Sequence, residues 1–371
     1  MDIAGLITQM STEGAFARVI NNPLAQFGPP TQPFLGATLL PDRMVPENSY
    51  TEEGVKYRSV IANAATRYSP VQKKGGALVG TVDVKLRDSD IGSELKAQEY
   101  DAVIRLVERA AAAGAGVNRP TMEAVAQLTR WAINTLSRPL AILDEKNRWD
   151  AIVDASVTRT GDNGYTETVT FPNPTDARVA AGGTWTSDAY DPYVDIMERV
   201  EFLAGKGYTV SRIFAPSTVR SMLSNNAKIA ARIGRVSVAA GTAVGLPGRV
   251  SLNGLNALLG EDGVPPIELY DAQYETQTST GFYLKRDVMV FVATTARDQS
   301  IDRGDQEPIL LQNTIGYTGV GRPAGQSQSG RVLYTRSIPD SKPPRIEGEA
   351  WQTTFPVILD PEAIAVVTGI A

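Results

Sequence analysis

Residues 67–87 read RYSPVQKKGGALVGTVDVKLR, and the rest of the chain is best read outward from them. Val82, Val84 and Leu86 alternate with Thr81, Asp83, Lys85 and Arg87, the two-residue period of a strand with one buried face. Upstream, Val55 to Tyr68 has the same extended character. Gln72-Lys73-Lys74-Gly75-Gly76 between them is a polar turn with a basic tip. The pattern predicts a long two-stranded hairpin within residues 50–92. A lone hairpin is at best marginal in water, and so long an excursion does not belong inside a compact domain. The conflict disappears if the hairpin lies on a neighbouring copy, with Lys73 and Lys74 as anchors there rather than as solubilising charges.

On the N-terminal side, residues 1–49 contain Pro23, Pro29, Pro30, Pro33, Pro41 and Pro46, which fix φ and remove donors. After a short amphipathic start this is an extended arm. The interleaved Leu24, Phe27, Phe34, Leu35, Leu39 and Leu40 call for burial, so a docked arm is expected rather than a free tail. On the other side helical spacing takes over. Tyr100, Ile104, Val107 and Ala111 share one face of a helix from Glu94 to Ala113. Pro120 opens a longer helix striped by Val125, Leu128, Ala132 and Leu136. Pro139 should kink it before it resumes through Leu143, Trp149 and Ile152.

Asp162-Asn163-Gly164 between strand-like runs marks a second hairpin. Asp191-Pro192 should cap and start a helix through Leu203, Tyr208 to Ala215 should be a strand, and Ser217 should begin a helix through Ala231. A glycine-rich loop from Ala239 to Gly248 precedes a helix at Leu252 to Leu259. Strands are expected at Ile267 to Glu275, Val288 to Thr294, Arg345 to Leu359 and Ala363 to Thr368, with a turn at Asp360-Pro361.

Composition removes much chemistry. The 371 residues include no cysteine and no histidine. Disulfides, thiolate zinc sites, cysteine nucleophiles, serine–histidine triads and histidine-based pH switches are therefore excluded. The formal net charge is -5, with no concentrated basic patch of the kind a sequence-specific nucleic-acid binder carries. The first residues do not read as a signal peptide, and no apolar run approaches the roughly 20 residues of a membrane span.

Three clusters could carry chemistry, and each reads better as structure. Gly316-Tyr317-Thr318-Gly319-Val320-Gly321 resembles part of a phosphate-binding loop, but Pro323 and Gly325 follow where a helix should open, so a surface loop is expected. Asp298, Asp302, Asp305 and Glu307 do not match the calcium-loop spacing and read as a solvated loop. Asp150 and Asp154 share a helix face, but Lys146 and Arg148 beside them suggest an ordinary charged surface rather than a catalytic pair. No catalytic, cofactor or metal site is expected, and the chain does not read as an enzyme.

The order arm, long hairpin, long helix, second hairpin, α/β unit and returning strands resembles the major capsid proteins of tailed bacteriophages, with their Hong Kong ninety-seven-like fold. Several short motifs are similar to the lambda-type major head protein family. Arg67-Tyr68-Ser69-Pro70-Val71 with Lys73-Lys74-Gly75-Gly76 resembles its extended loop, and Gly183-Thr184-Trp185 with Tyr190-Asp191-Pro192 and Asp195-Ile196 resembles the approach to its axial domain. Phe214-Ala215-Pro216 and Tyr270-Asp271-Ala272-Gln273-Tyr274 resemble that domain's interior. Pro356-Val357-Ile358-Leu359-Asp360-Pro361-Glu362 resembles the C-terminal signature. Their collinear order carries the resemblance over nearly the whole chain. The helix Glu94 to Ala113 stands out as an insertion.

The resemblance implies an α+β phage capsid fold. Its parts would be an N-terminal arm (1–49), an extended β-hairpin loop (50–92), a peripheral domain with a long spine helix (93–184), an axial α/β domain (185–330) and a return to the peripheral domain (331–371). It implies a major capsid protein forming the hexamers and pentamers of an icosahedral shell around phage double-stranded DNA, located in the virion after assembly in the host cytoplasm. Implied partners are further copies of the chain, a separate scaffolding protein, a portal, a decoration or cement protein, and DNA packaged without sequence specificity. No membrane partner and no cofactor are implied. Lys73, Lys74, Gly75 and Gly76 would make the loop-tip contact, Gly241, Gly245 and Pro247 the axial tip, and Pro356, Asp360 and Pro361 the C-terminal turn. No lysine–asparagine isopeptide bond is expected, and without histidine shell expansion would follow scaffold loss and DNA filling rather than mild acid. The competing readings are an encapsulin-type compartment shell and a carboxylate-dependent hydrolase or sugar-binding enzyme.

Overall fold

The computed structural model describes residues 34–57, 77–95, 97–112, 119–161, 164–239, 250–276, 279–294, 300–301, 309–310, 315–338 and 345–371. Two sheets organise them. The first is built on the strand Arg345–Ile358. On one side Arg87–Leu95 pairs antiparallel with it, Leu95 opposite Ile346 and Arg87 opposite Thr354. On the other side Arg331–Ile338 and Gly316–Val320 lie end to end along it, and the arm strand Asp42–Met44 adds in parallel beyond Gly316–Val320. The long strand changes character along its length. Ile346, Gly348 and Ala350 are buried between outward-facing Glu347, Glu349 and Trp351, whereas every residue from Gln352 to Ile358 is buried. The first half has one face against helices, and the second half is covered on both faces.

Those helices are Ala97–Ala112 and the long segment from Arg119 to Asp154. Tyr100, Val103, Leu128, Trp131, Leu136 and Leu140 close a core against Leu95, Ile346 and Ala350. The long segment runs as Arg119–Ala132, a π turn at Ile133–Ser137, and Arg138–Asp154. The irregularity expected at Pro139 takes this form. Proline has no N–H to offer the preceding turn, and a π turn absorbs the mismatch just upstream. The Thr135 hydroxyl donates to the Trp131 carbonyl there at 2.8 Å.

The second sheet has the order Arg178–Ala180, Ile364–Thr368, Met289–Thr294, Thr209–Ala215, Ile267–Leu269. Helices Pro192–Gly205, Ser217–Asn225, Ala227–Ala239 and Leu252–Glu261 accompany it. Asp191 caps the first of these through Tyr193 N at 3.2 Å, with Pro192 at the first helical position as expected. Trp185, Ile196, Leu203, Ile213, Phe214, Phe291 and Ile364 are all fully buried in its core.

The structure departs from the sequence reading in several places. Ile364–Thr368, expected to return with residues 331–358, does not join their sheet. Its Ile-Ala-Val-Val run is buried on both faces, a condition met between Arg178–Ala180 and Met289–Thr294. Gly316–Val320, assigned above to 185–330, belongs to the first sheet, and Arg87–Leu95 belongs to that sheet rather than to the projecting loop. The helix expected from Glu94 begins at Ala97, because Glu94 and Leu95 continue the strand against Arg345–Ile358. Ile267 to Glu275 is two short strands in different sheets, Ile267–Leu269 and Gln273–Glu275. The helix from Ser217 breaks at Asn226, which is extended (φ -74°, ψ 126°). Its buried amide donates to the carbonyls of Trp185, Ser187 and Tyr190, each at 3.1 Å, and its Oδ1 accepts from Lys228 N and Ile229 N. The asparagine is thus the N-cap of the next helix.

Gly316–Val320 is also not a surface loop, since every residue in it is buried. A Cβ at Gly319 would sit 2.8 Å from Leu86 Cδ2, and one at Gly316 would run into the Val357 carbonyl. Glycine is here for close approach of chains, not for a turn. Gly319→Ala is expected to cost about 1–3 kcal/mol by overpacking against Leu86, read as a lower denaturant midpoint at unchanged slope.

Candidate functional site: a projecting hairpin and its anchor

Ser49–Tyr57 and Ala77–Lys85 form an antiparallel ribbon, with Ser49 opposite Lys85 and Tyr57 opposite Ala77. The first strand begins six residues before Val55, where it was expected. Among the described residues neither strand hydrogen-bonds to a third. At about 3.3 Å per residue, the ribbon is roughly 27 Å long.

Its base is held tightly. Leu86 N donates to Asn48 O at 2.8 Å. The Asn48 amide donates to Arg322 O at 2.8 Å and accepts from Arg322 N at 2.7 Å. The Tyr50 and Tyr317 hydroxyls lie 2.7 Å apart, while Val84 and Leu86 are buried. The glycine-rich segment 316–321 is therefore the socket into which the ribbon base packs.

The arm is anchored by buried charge. Glu145, fully buried on the helix Arg138–Asp154, accepts from Gly36 N (2.7 Å), Ala37 N (3.1 Å), Trp149 Nε1 (2.9 Å), Tyr270 OH (3.0 Å) and Arg148 (3.3 Å). It ties the single helical turn Gly36–Leu39 to the spine helix and to the α/β unit. Next to it, buried Arg148 donates to Asp42 at 2.5 Å and to the Thr318 hydroxyl at 2.8 Å. Buried Arg331 donates to Asp42 and Asp144, at 2.8 and 2.9 Å, and to Gln352 Oε1 at 2.6 Å. Burial acts to raise the Asp42 carboxyl pKa, but the two guanidinium groups outweigh it and hold it below the usual carboxylate value. For Arg331 burial pulls downward, and Asp42 and Asp144 outweigh it. Burial, then the adjacent Glu145 carboxylate, pushes the Tyr270 hydroxyl far up, so it stays a donor.

Lys73, Lys74, Gly75 and Gly76 lie outside the described residues, as do Gly241, Gly245 and Pro247 and the acidic stretch Asp298, Asp302, Asp305 and Glu307. The C-terminal turn is described. Pro356 lies in the long strand opposite Thr318, and Pro361 begins a single 3-10 turn. Asp360 is buried, accepts from Tyr208 OH at 3.0 and 2.8 Å, and donates its N–H to Ile315 O. Together they form the internal joint between the two sheets. Asp150 and Asp154 pair with lysines rather than with each other, Asp150 with Lys146 (2.5 Å) and Asp154 with Lys285 (2.6 Å). Arg148, read above as surface, is buried because Asp42 and Glu145 meet it. Asp42, Asp144, Glu145 and Arg331 were not singled out from sequence. The available signal was their helical spacing, since Asp144, Glu145 and Arg148 share turns with the buried Leu140, Trp149 and Ile152.

No family model matches the chain, and no curated protein matches it. Solved structures do. A protein described as a prophage capsid protein of E. coli CFT073 aligns with a TM-score of 0.57 at 12% identity, over 96% of this chain and 98% of that chain. This chain has the phage capsid fold. A phage-related protein from Bordetella bronchiseptica RB50 aligns with a TM-score of 0.50 at 13% identity, over 95% of this chain and 96% of that one. The encapsulin complex of Synechococcus elongatus PCC 7942 reaches a TM-score of 0.38 at 11% identity, over 91% and 87%, and at that level decides nothing. The capsid fold is the Hong Kong ninety-seven-like architecture expected from the order of elements.

Proposed function

We propose that the chain is the major capsid protein of a tailed bacteriophage, of the lambda-type branch, building the hexamers and pentamers of an icosahedral shell around double-stranded DNA. The observation that carries this reading is the ribbon of residues 49–57 and 77–85, which hydrogen-bonds to no third strand among the described residues, although Ser300–Ile301 lies beside its first strand. A two-stranded ribbon is marginal alone and its edges invite pairing. Packing over neighbouring copies supplies what it lacks. The same reading includes a separate scaffolding protein, a portal, a decoration protein and DNA held without sequence specificity as partners, with the shell assembled in the host cytoplasm. The role is structural rather than catalytic. Among the described residues no helix is long and apolar enough to cross a membrane.

Expressed in bacteria and passed through a size-exclusion column, the chain is expected to elute as capsomers and megadalton particles that are closed shells by negative-stain microscopy. A compact monomer at all concentrations overturns the proposal. Nuclease-protected double-stranded DNA inside particles from phage-producing cells separates a phage head from a compartment shell.

A further inference from the structure

Ser156–Thr160 and Thr166–Thr170 form the second hairpin, with Thr158 opposite Thr168 and Ser156 opposite Thr170. Among the described residues neither strand pairs with a third. Two backbone bonds fix which groups face outward. Gly161 N donates to Tyr165 O at 2.8 Å, and Phe171 N donates to Ala155 O at 2.7 Å. Bonded and non-bonded pairs alternate along an antiparallel ladder, so residues 165, 167, 169 and 171 turn their N–H and C=O groups inward. Thr166, Thr168 and Thr170 turn theirs outward, and all three residues are exposed. Free edges are commonly guarded by lysine, proline or a bulge. This one carries none of them until Pro172 ends it.

The edge is complementary to itself. An antiparallel copy centred on Thr168 pairs Thr168 with Thr168, Thr166 with Thr170 and Thr170 with Thr166. Every outward N–H and C=O of the three threonines then finds a partner, and the two strands meet about a two-fold axis. The inward side chains agree with that register. Glu167 falls opposite Val169, so the only charge on the strand does not face its own copy. Tyr165 is left 57% exposed on its own chain, and its ring falls opposite Phe171 as an aromatic cross-strand pair. Moving the centre to Glu167 sets two carboxylates against each other. Moving it to Val169 sets Thr166 opposite Pro172, which has no N–H to give. One register is singled out.

We propose that Thr166–Thr170 pairs with the same strand of a second copy of this chain, making a four-stranded sheet across a two-fold axis. This rests on the shell reading above, since a closed icosahedral shell sets copies about two-fold axes, and it adds a contact made there. Strands of this length are too short to hold two chains together by themselves. The sheet is therefore expected in assembled particles and not between free chains.

The absence of native cysteine makes the test direct. In shells of the full-length Thr168→Cys chain, the paired residues 168 lie about 5.5 Å apart between Cα atoms, within reach of a short bismaleimide. Denaturing gels are expected to show covalent dimers and no larger species, because one cysteine beside a two-fold axis joins two copies. Thr158→Cys, on the strand behind, lies about 14 Å from its counterpart and should give less than a tenth of that dimer. No dimer from residue 168, an equal yield from residue 158, or a link from residue 168 to a different protein overturns the inference. Thr168→Pro is the second variant. It removes the central outward N–H and leaves the hairpin's own ladder intact, since Thr158 and Thr168 form a non-bonded pair. Circular dichroism should be unchanged, and shell yield should fall at least tenfold while capsomers persist. Wild-type yield from this variant overturns the inference. Wild-type shells without the dimer defeat it alone, whereas a wild-type chain that forms no particle defeats the shell reading with it.

Discussion

Replacing Glu145 by alanine is expected to destabilise the chain by at least about 3 kcal/mol, read as a lower urea midpoint at unchanged slope. The carboxylate is fully buried and accepts from two backbone N–H groups of the arm, the Trp149 indole, the Tyr270 hydroxyl and Arg148. Alanine leaves all of these donors facing a void, and each buried donor left unsatisfied costs about 1–3 kcal/mol. It also removes the counter-charge on one side of buried Arg148. Glutamine is the informative comparison, because it keeps the volume but turns one acceptor into a donor. It should fall between wild type and alanine, the loss falling on Ala37 N and Arg148 where the amide nitrogen replaces Oε2, or on Gly36 N, Trp149 Nε1 and Tyr270 OH where it replaces Oε1. Limited proteolysis should release the arm in both variants before the sheets open. A loss below about 1 kcal/mol for alanine would mean that the arm is held elsewhere.

Exchanging residues 58–76 for an Asn-Gly turn should leave the fold standing and abolish the shell. Tyr57 and Ala77 face each other across the ribbon, so a two-residue turn of this type suits the joint. The two sheets and their cores close among residues outside the deleted segment. Thermal midpoint and circular dichroism are expected to stay near those of wild type, while closed particles fall at least a hundredfold by microscopy. Normal shells from this variant would refute the projecting role of the ribbon. Loss of folding would show that the segment belongs to the body of its own chain.

Local physics was legible wherever a residue's neighbours in sequence decide its state. The alternation of buried Val84 and Leu86 with exposed Asp83 and Lys85, the Gly164 hairpin, and Asp191-Pro192 opening its helix all appear as read. Gly164 takes the positive φ (73°) that its turn requires. Distance defeated the reading elsewhere. Nothing near Gly316 or Gly319 in sequence shows that Val357 and Leu86 will press against them, so a buried strand resembled a loop. Formal charge misled in the same way at Arg148, whose partner Asp42 lies 106 positions away. The domain division failed where the chain interleaves, because continuous segments were assumed and the sheets exchange strands. The anchor was visible only as charges in a buried helical stripe, a pattern that gains meaning once Asp42 and Arg331 are placed beside it.

Both sheets hold their principal strand until late in the chain. In the α/β sheet Ile364–Thr368 is the last of five strands to leave the ribosome, yet it lies between Arg178–Ala180 and Met289–Thr294. In the other sheet Arg345–Ile358 follows every strand that it joins. A nascent copy released before residue 345 would own two gaping sheets and no finished surface. Such fragments would be open to proteolysis, so the threading itself selects for copies that extend through residue 368.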